Sequence, residues 1–348
     1  MMTDIAQIAS LFQIDGTPVN VRAVTDGHIN GTWYFDTDRG SAYILQRIND
    51  RVFRDVEGLM RNIQLVTAHL RRTAADGRRV LTLAQTREDR PYLSYDGGYY
   101  RVYENIGDSL CLSAPESPED LRRSGFAFGE FQKKLADFPA DSLTETIPHF
   151  HDTPDRFRQL REAIDEDRAG RLKDARPEVD FALRRFGDAG LMTDMQCRGE
   201  LPLRVTHNDT KLNNVLLDRT TREPLCVIDL DTVMPGLAGN DFGDAVRFGA
   251  STAAEDETDL SLVHFSLPMY RAFADGFLAA CGDTLEKAEL ETLPLAARLM
   301  TLECGVRFLT DFLNGDTYFR VTHGTHNLER ARTQFRLVAE MEQADMGL

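Results

Sequence analysis

Residues 203–231 read LRVTHNDTKLNNVLLDRTTREPLCVIDLD, and this stretch decides the fold. Two apolar runs, Asn214–Leu217 and Leu225–Leu230, flank a polar connection, Asp218–Pro224. Two such runs around a turn-rich connection predict a β-hairpin. Pairing Leu217 with Leu225 sets Asn214 opposite Ile228, beside Asp229, and a slip of one residue leaves Asn214 and Asp229 neighbours. Alternation along a strand puts Asp229 and Asp231 on one face. Asp209 lies on the loop that enters the hairpin, so several polar groups collect at one end of an apolar ribbon.

An Asn carbonyl and a carboxylate are hard oxygen donors, suited to Mg2+ rather than to zinc. A separate carboxylate nearby can accept a hydroxyl proton, and a lysine can neutralise a transferring phosphoryl group. The spacing His207-x-Asp209-x-Lys211-x-x-Asn214 matches the kinase catalytic loop, in which Asp orients the nucleophile and Asn holds metal. On these residues the chain resembles the aminoglycoside phosphotransferase and choline kinase family, a branch of the protein-kinase-like fold. The stretches DGHINGT (26–32), YILQRIN (43–49), ETIPHFHDTPDRF (145–157), IDLDTVMPG (228–236), NDFGDAVRFGAS (240–251) and ECGVRFL (303–309) extend the resemblance to bacterial N-acetylhexosamine 1-kinases.

That resemblance implies roles by position. Asp209 would be the catalytic base, Asn214 and Asp229 the Mg2+ ligands, and Lys211 the contact to the transferring phosphate. Asp231 would reach a second metal or the sugar hydroxyls, and His207 would hold the loop. Asp241-Phe242-Gly243 imitates the kinase metal triplet, but Asp229 fills that role by position. Asp241 and Asp244 are expected to cap or brace a following helix. The implied reaction is ATP- and Mg2+-dependent phosphorylation of the anomeric hydroxyl of an N-acetylhexosamine. Two other readings stay open: a kinase of another small alcohol or amine (an aminoglycoside, choline or a different hexose), and a catalytically silent nucleotide-binding module.

Outward from the hairpin, residues 18–106 read mainly as strands. Segments 19–24, 31–35 and 42–48 predict an antiparallel sheet of hairpins. Val56, Leu59, Met60, Ile63, Val66 and Leu70 recur at three- and four-residue steps and predict one amphipathic helix. Strands around 92–94 and 99–103 follow, joined by Asp96-Gly97-Gly98. Helices are expected over 120–138, 154–170, 177–188, 257–280, 284–313 and 327–345, with Gly125 and Gly129 permitting a close helix contact. The expected fold is α+β and two-lobed: residues 1–106 a small β-rich nucleotide-binding lobe with one helix, residues 107–348 a larger, mainly helical lobe carrying the catalytic hairpin.

The chain holds 35 Arg but only five Lys, none of them before Lys133. The third-strand lysine that pairs nucleotide phosphates in protein kinases is therefore missing. Gln46 or Arg47 must serve in its place, or nothing does, and Glu57 is either an ion-pair partner or a solvated surface residue. Gly27 and Gly31 fit a backbone cradle over phosphates or a simple hairpin turn. Adenine would lie near Tyr103 and Asn105. For the sugar, Arg307 stands in an apolar helix where an unpaired guanidinium is costly, with a salt bridge to Glu303 as the competing explanation. His28, His149, His151 and Tyr318 are further candidates.

Composition bounds the partners. Hydrophobic residues make up 42% and charged residues 28%, values ordinary for a globular chain of about two domains. A net charge of −16 repels nucleic-acid phosphates and anionic lipid, so neither nucleic acid nor membrane is an expected partner. Small molecules, ATP and a sugar, are, and the oligomeric state is left open. Five scattered cysteines without metal spacing, no signal peptide and no long apolar run point to the cytoplasm.

Overall fold

The computed structural model describes residues 5–24, 29–73 and 79–348. Gly27 and His28 lie outside the described residues. The chain folds as two compact units, each discontinuous in sequence. The first comprises Met1–Cys111, Asp137–Pro148 and Leu216–Met234; the second comprises Leu112–Ala136, His149–Val215 and Pro235–Leu348. Compactness thus divides the chain differently from one cut at 106/107, because two later segments return to the first unit. Sheet dominates the N-terminal region and helix the C-terminal region, the α+β arrangement expected.

The first unit opens with α1 (Ile5–Ala9) and the antiparallel strands β1 (Pro18–Val24), β2 (Gly31–Thr37) and β3 (Ala42–Ile48). Helix α2 (Val56–Thr73) follows, with all six residues of its apolar stripe buried. Strands β4 (Leu83–Ala84), β5 (Leu93–Tyr95), β6 (Gly98–Glu104) and β7 (Ser109–Leu110) complete the run. The main sheet runs β1-β2-β3-β6-β4, with β5 also on β6. Asp96 and Gly97 both take positive φ in a two-residue turn, the twist-matched connection that β5 and β6 need. Phe35, Tyr43, Leu45, Tyr100 and Val102 form a core with Ile8 and Phe12. Because side chains alternate, Gln46 on β3 and its partner Arg101 on β6 belong to the opposite face.

The expected hairpin forms from Val215–Asp218 and Pro224–Val227 and pairs with β7. Asp218 N–H donates to the Glu223 carbonyl at 2.8 Å, and Arg222 N–H to the Asp218 carbonyl at 2.9 Å. Asp218 therefore faces both Arg222 and Glu223, and Arg222 sits in the left-handed region as the bulge residue of such a loop. The register is shifted by one from the Leu217–Leu225 pairing.

The second unit contains α3 (Pro118–Lys134), α4 (Thr153–Glu166), α5 (Arg176–Leu183), α6 (Leu191–Cys197), α7 (Ala238–Gly249), α8 (Leu267–Cys281), α9 (Lys287–Leu313) and α10 (His326–Met341). Its core gathers Phe157, Val179, Leu299, Val306, Phe312 and Phe335 from α4, α5, α9 and α10. The helix expected from 257 begins only at Leu267, where Ser266 accepts the Met269 N–H and Pro268 occupies the first turn. Among the described residues no helix is long and apolar enough to cross a membrane.

Helices α3 and α8 meet at glycines. A Cβ on Gly125 would strike the Phe273 carbonyl oxygen, and one on Gly276 the Arg122 carbonyl oxygen, both rigid backbone atoms. Gly125→Ala should cost at least about 1–3 kcal/mol as an overpacked contact, read as a lower urea midpoint. Gly187→Ala, whose Cβ meets nothing within 4 Å, should leave that midpoint unchanged.

Candidate active site

Residues 207–211 follow the strand Arg204–Thr206 as irregular backbone before a single 3-10 turn at Leu212–Asn214, so their buried amides need acceptors from elsewhere. Helix α7 provides them. His207 N–H donates to Asp241 Oδ2 at 2.9 Å and Asn208 N–H to Asp241 Oδ1 at 2.7 Å. Gln132 Nε2 adds a third donor at 2.6 Å. Thr210 N–H donates to Asp244 Oδ2 at 2.9 Å, and its hydroxyl to the Asp241 carbonyl at 2.6 Å. Burial pushes the Asp241 carboxyl above its ordinary range, against the charge of His207 and the donors around it. Asp241 and Asp244 therefore brace the preceding loop from within α7, rather than capping or bracing a helix end.

The loop is held from a second side. His151 Nε2 lies 3.2 Å from the Asn208 carbonyl and its Nδ1 2.9 Å from Glu303 Oε1. Thr153 donates to the other Glu303 oxygen at 2.7 Å. Burial works against ionisation of Glu303, but these two partners and the charge of Arg307 outweigh it and hold the carboxyl below the usual range. Asp244 has the same balance: burial opposes its charge, and Arg247 and Lys211 more than restore it. His207 is fully buried between Phe128 and Phe131, and its Nδ1 receives the Asp209 N–H at 3.3 Å, in keeping with a structural part.

Between these anchors stands a compact polar set. Asn214 Nδ2 donates to the Asp209 carbonyl at 2.7 Å and to its carboxylate Oδ2 at 3.2 Å. Lys211 Nζ lies 3.0 Å from the other carboxylate oxygen, and the Asp209 charge raises the Lys211 pKa despite burial. With its amide nitrogen so directed, Asn214 carries Oδ1 at the opposite corner of the carboxamide. Asp209, Lys211 and Asn214 are thus brought together by bonds within one unit. Arg307 is flanked by the Phe150 and Phe319 rings at 5.1 and 5.6 Å from their centroids, a cation–π setting. His149 is exposed and bonded to Asp152 at 3.1 Å; Tyr318 is 61% exposed, its N–H held by Asp311.

In the other unit, Asp229 ends the hairpin as an exposed residue in the left-handed region, φ 60° and ψ 60°. Asp231 is buried: Oδ1 lies 2.6 Å from Arg101 Nη1 and Oδ2 receives Asn30 Nδ2 at 2.7 Å. Its carboxylate is committed inside its own unit, in contrast to the expected role at a sugar or second metal. Gln46 accepts from Arg101 Nε and Nη2 at 3.0 and 2.8 Å. Arg47 and Glu57 are both exposed, Glu57 as the solvated alternative. Gly31 begins β2, where a Cβ would meet the Trp33 ring. Tyr103 is buried, which pushes its hydroxyl pKa up, and Asn105 N–H bonds the Ala42 carbonyl at 2.9 Å. Asn214 in the second unit and Asp229 in the first each offer a hard oxygen donor, the kind of group that suits Mg2+. Among the described residues, no group of three or more His, Cys, Asp and Glu gathers as a metal site.

Sequence reasoning missed the Asp241 brace, the Glu303–His151 bridge and Arg101. For Arg101 a signal existed, since a lone arginine interrupts the strand Tyr99–Tyr103. The brace left none, because its donors from the loop are backbone amides.

Comparison with known proteins bears on this geometry. The model of the phosphotransferase enzyme family matches residues 20–276. Among solved structures, an amicoumacin kinase in complex with AMP-PNP and Ca2+ is similar with a TM-score of 0.63 at 16% identity, over 98% of this chain and 93% of that one. An aminoglycoside phosphotransferase from Alicyclobacillus acidocaldarius gives 0.61 at 14% identity, over 99% and 95%. A choline kinase from Cryptosporidium parvum gives 0.57 at 14%, over 95% and 91%. The fold is thus the kinase-like one expected.

Because the Glu303 carboxyl titrates below its unfolded value of 4.5, its contribution is present above that pH and is lost as pH falls through the folded value. Glu303→Gln should destabilise the protein by about 3 kcal/mol near neutrality, as a broken buried pair does. Urea unfolding at successively lower pH should show the gap between wild type and variant closing below 4.5.

Proposed function

The chain belongs to the phosphotransferase enzyme family, and on that premise we propose that it is an ATP- and Mg2+-dependent kinase of the anomeric hydroxyl of an N-acetylhexosamine. The observation that carries the reading is the Asp209 carboxylate, fixed from one side by Asn214 and from the other by Lys211 on a loop braced by Asp241 and Glu303. Asp209 orients the acceptor hydroxyl and takes its proton as the oxygen attacks the γ-phosphorus; the Pγ–O bond to ADP breaks in line. Lys211, a cation beside that carboxylate, contacts the transferred phosphoryl group. Mg2+, held by Asn214 and Asp229, would supply counter-charge to the nucleotide phosphates. Gly27, Gly31, Gln46, Arg47, Tyr103 and Asn105 remain the candidate nucleotide contacts. A cytoplasmic setting, where ATP is plentiful, suits this chemistry.

For the acceptor, Arg307 between two aromatic rings offers a donor fork and apolar faces, which suit an acetamide and sugar ring. Tyr318, His149 and His28 are the accompanying candidates. The competing acceptors are cationic, like the substrates named in the aminoglycoside phosphotransferase and choline kinase structures, and the net charge of −16 favours them. Against them stands a second arginine near the first. Burial and then the charge of Arg307 lower the Arg156 pKa, with Glu303 and Asp155 acting against them, so two cations share the neighbourhood offered to the acceptor.

Asp209→Asn should lower turnover of N-acetylglucosamine or N-acetylgalactosamine with Mg·ATP by at least ~10²-fold, the scale of a lost general base, with little change in nucleotide affinity. Unimpaired turnover in that variant would remove Asp209 from the reaction.

A further inference from the structure

The first unit buries one full positive charge that the proposed reaction does not use. Arg101 on β6 is 1% exposed, although a guanidinium is among the groups most expensive to remove from water. Its surroundings offset that expense. Nε and Nη2 fork onto Gln46 Oε1 from the neighbouring strand, Nη1 meets Asp231 Oδ1 at 2.6 Å, and the Tyr103 ring centroid lies 5.2 Å away. Burial lowers the Arg101 pKa, but the Asp231 charge more than reverses this, so the arginine is held charged. Asp231 is in turn fixed from three sides: by Arg101, by Asn30 Nδ2 at 2.7 Å, and by the Thr146 hydroxyl on its carbonyl at 3.0 Å. Asn62 of α2 ties the same segment by donating to the Val233 carbonyl at 3.0 Å.

Asp229 stands two residues before this anchor. It is exposed and sits in the left-handed region, which Asp visits more readily than most L residues but only at isolated positions. Such a conformation persists where the surrounding structure determines it. The determined neighbour here is Asp231. An exposed acidic residue on a short segment, with a buried ion pair two residues behind it, is the arrangement of a ligand and the group that aims it.

We propose that Arg101 is a positioning residue which, through Asp231, holds the 229–231 turn so that the Asp229 carboxylate is preset for a divalent cation on a nucleoside triphosphate. The inference rests on the kinase reading and deepens it. With no lysine before Lys133, the first unit takes its buried cation from β6. That cation acts on the metal-binding turn rather than on phosphate, since its donors already face Gln46 and Asp231.

The test measures AMP-PNP binding to the full chain by calorimetry, with and without Mg2+, for wild type, Arg101→Lys, Asp231→Asn and the double variant. A lysine keeps the charge but cannot fork to both partners, and Asn keeps the shape of Asp, so at least one variant should fold; thermal unfolding checks each. The expected result is a rise of ~10-fold or more in the Mg2+ concentration that half-saturates binding in either single variant, the scale of a lost outer partner of a ligand. Metal-free AMP-PNP affinity should stay at the wild-type value, and the double variant should add no further rise, because both changes break one contact. Folded variants with wild-type Mg2+ dependence overturn the inference while leaving the kinase reading intact. A loss of metal-free affinity in Arg101→Lys alone would overturn it as well, by making Arg101 a phosphate contact. Wild type that binds no Mg·AMP-PNP would overturn the kinase reading, and this inference with it.

Discussion

A single buried carboxylate sets the form of the loop that carries Asp209. Asp241 has no exposed surface, and both its oxygens accept backbone amides from consecutive loop residues, His207 and Asn208. Irregular backbone cannot satisfy its own amides, and an amide buried without an acceptor costs about 1–3 kcal/mol. A helix that carries an acceptor to that point therefore decides whether the segment before Asp209 has one conformation or many. Asp244, one turn further along α7, repeats the device at Thr210, so the residues on both sides of Asp209 are tied to the same rigid element. The Glu303–His151 bridge closes the arrangement from α9.

Two buried charge systems serve two different parts. In the second unit, acids on α7 and α9 hold a loop that carries the half-buried Asp209 and Lys211. In the first, Arg101 and Asp231 hold a turn whose exposed end carries Asp229. Each pairs a strongly desolvated, charge-paired group with a more accessible one a residue or two away along the chain. Buried polar networks of this kind are rigid only when fully satisfied, and rigidity is what a positioned base or metal ligand requires. In a chain of net charge −16, Arg101, Lys211 and Arg307 are each held in a defined setting, by Asp231 and Gln46, by Asp209, and by two aromatic rings.

Much of this was legible in the sequence because the signals were local. The hairpin followed from two apolar runs around a turn, the α2 stripe from a helical period, and the polar set from the spacing 207–214. Asp96-Gly97 marked its turn because both residues need positive φ. What escaped was non-local or parity-dependent. Whether Gln46 or Arg47 faced inward turned on one residue of strand alternation, and only the pairing of Gln46 with Arg101 settled it. Asp241 resembled a metal triplet by its neighbours, while its partners lie more than thirty residues away. Asp231 looked like a ligand by its distance from Asp229, and its partner, on β6, comes from a distant stretch of chain. A cut by chain order could not foresee that 137–148 and 216–234 return to the first unit.

The central question is whether a phosphoryl group reaches a sugar. The decisive measurement incubates the full chain with ATP, Mg2+ and a panel of neutral sugars, aminoglycosides and amino alcohols, and locates the new phosphate by phosphorus and proton NMR. The expected result is an N-acetylhexosamine product whose phosphorus couples to the anomeric proton, and no transfer to the cationic acceptors. Phosphate on an amino alcohol or an aminoglycoside, or no transfer to any acceptor, would contradict it.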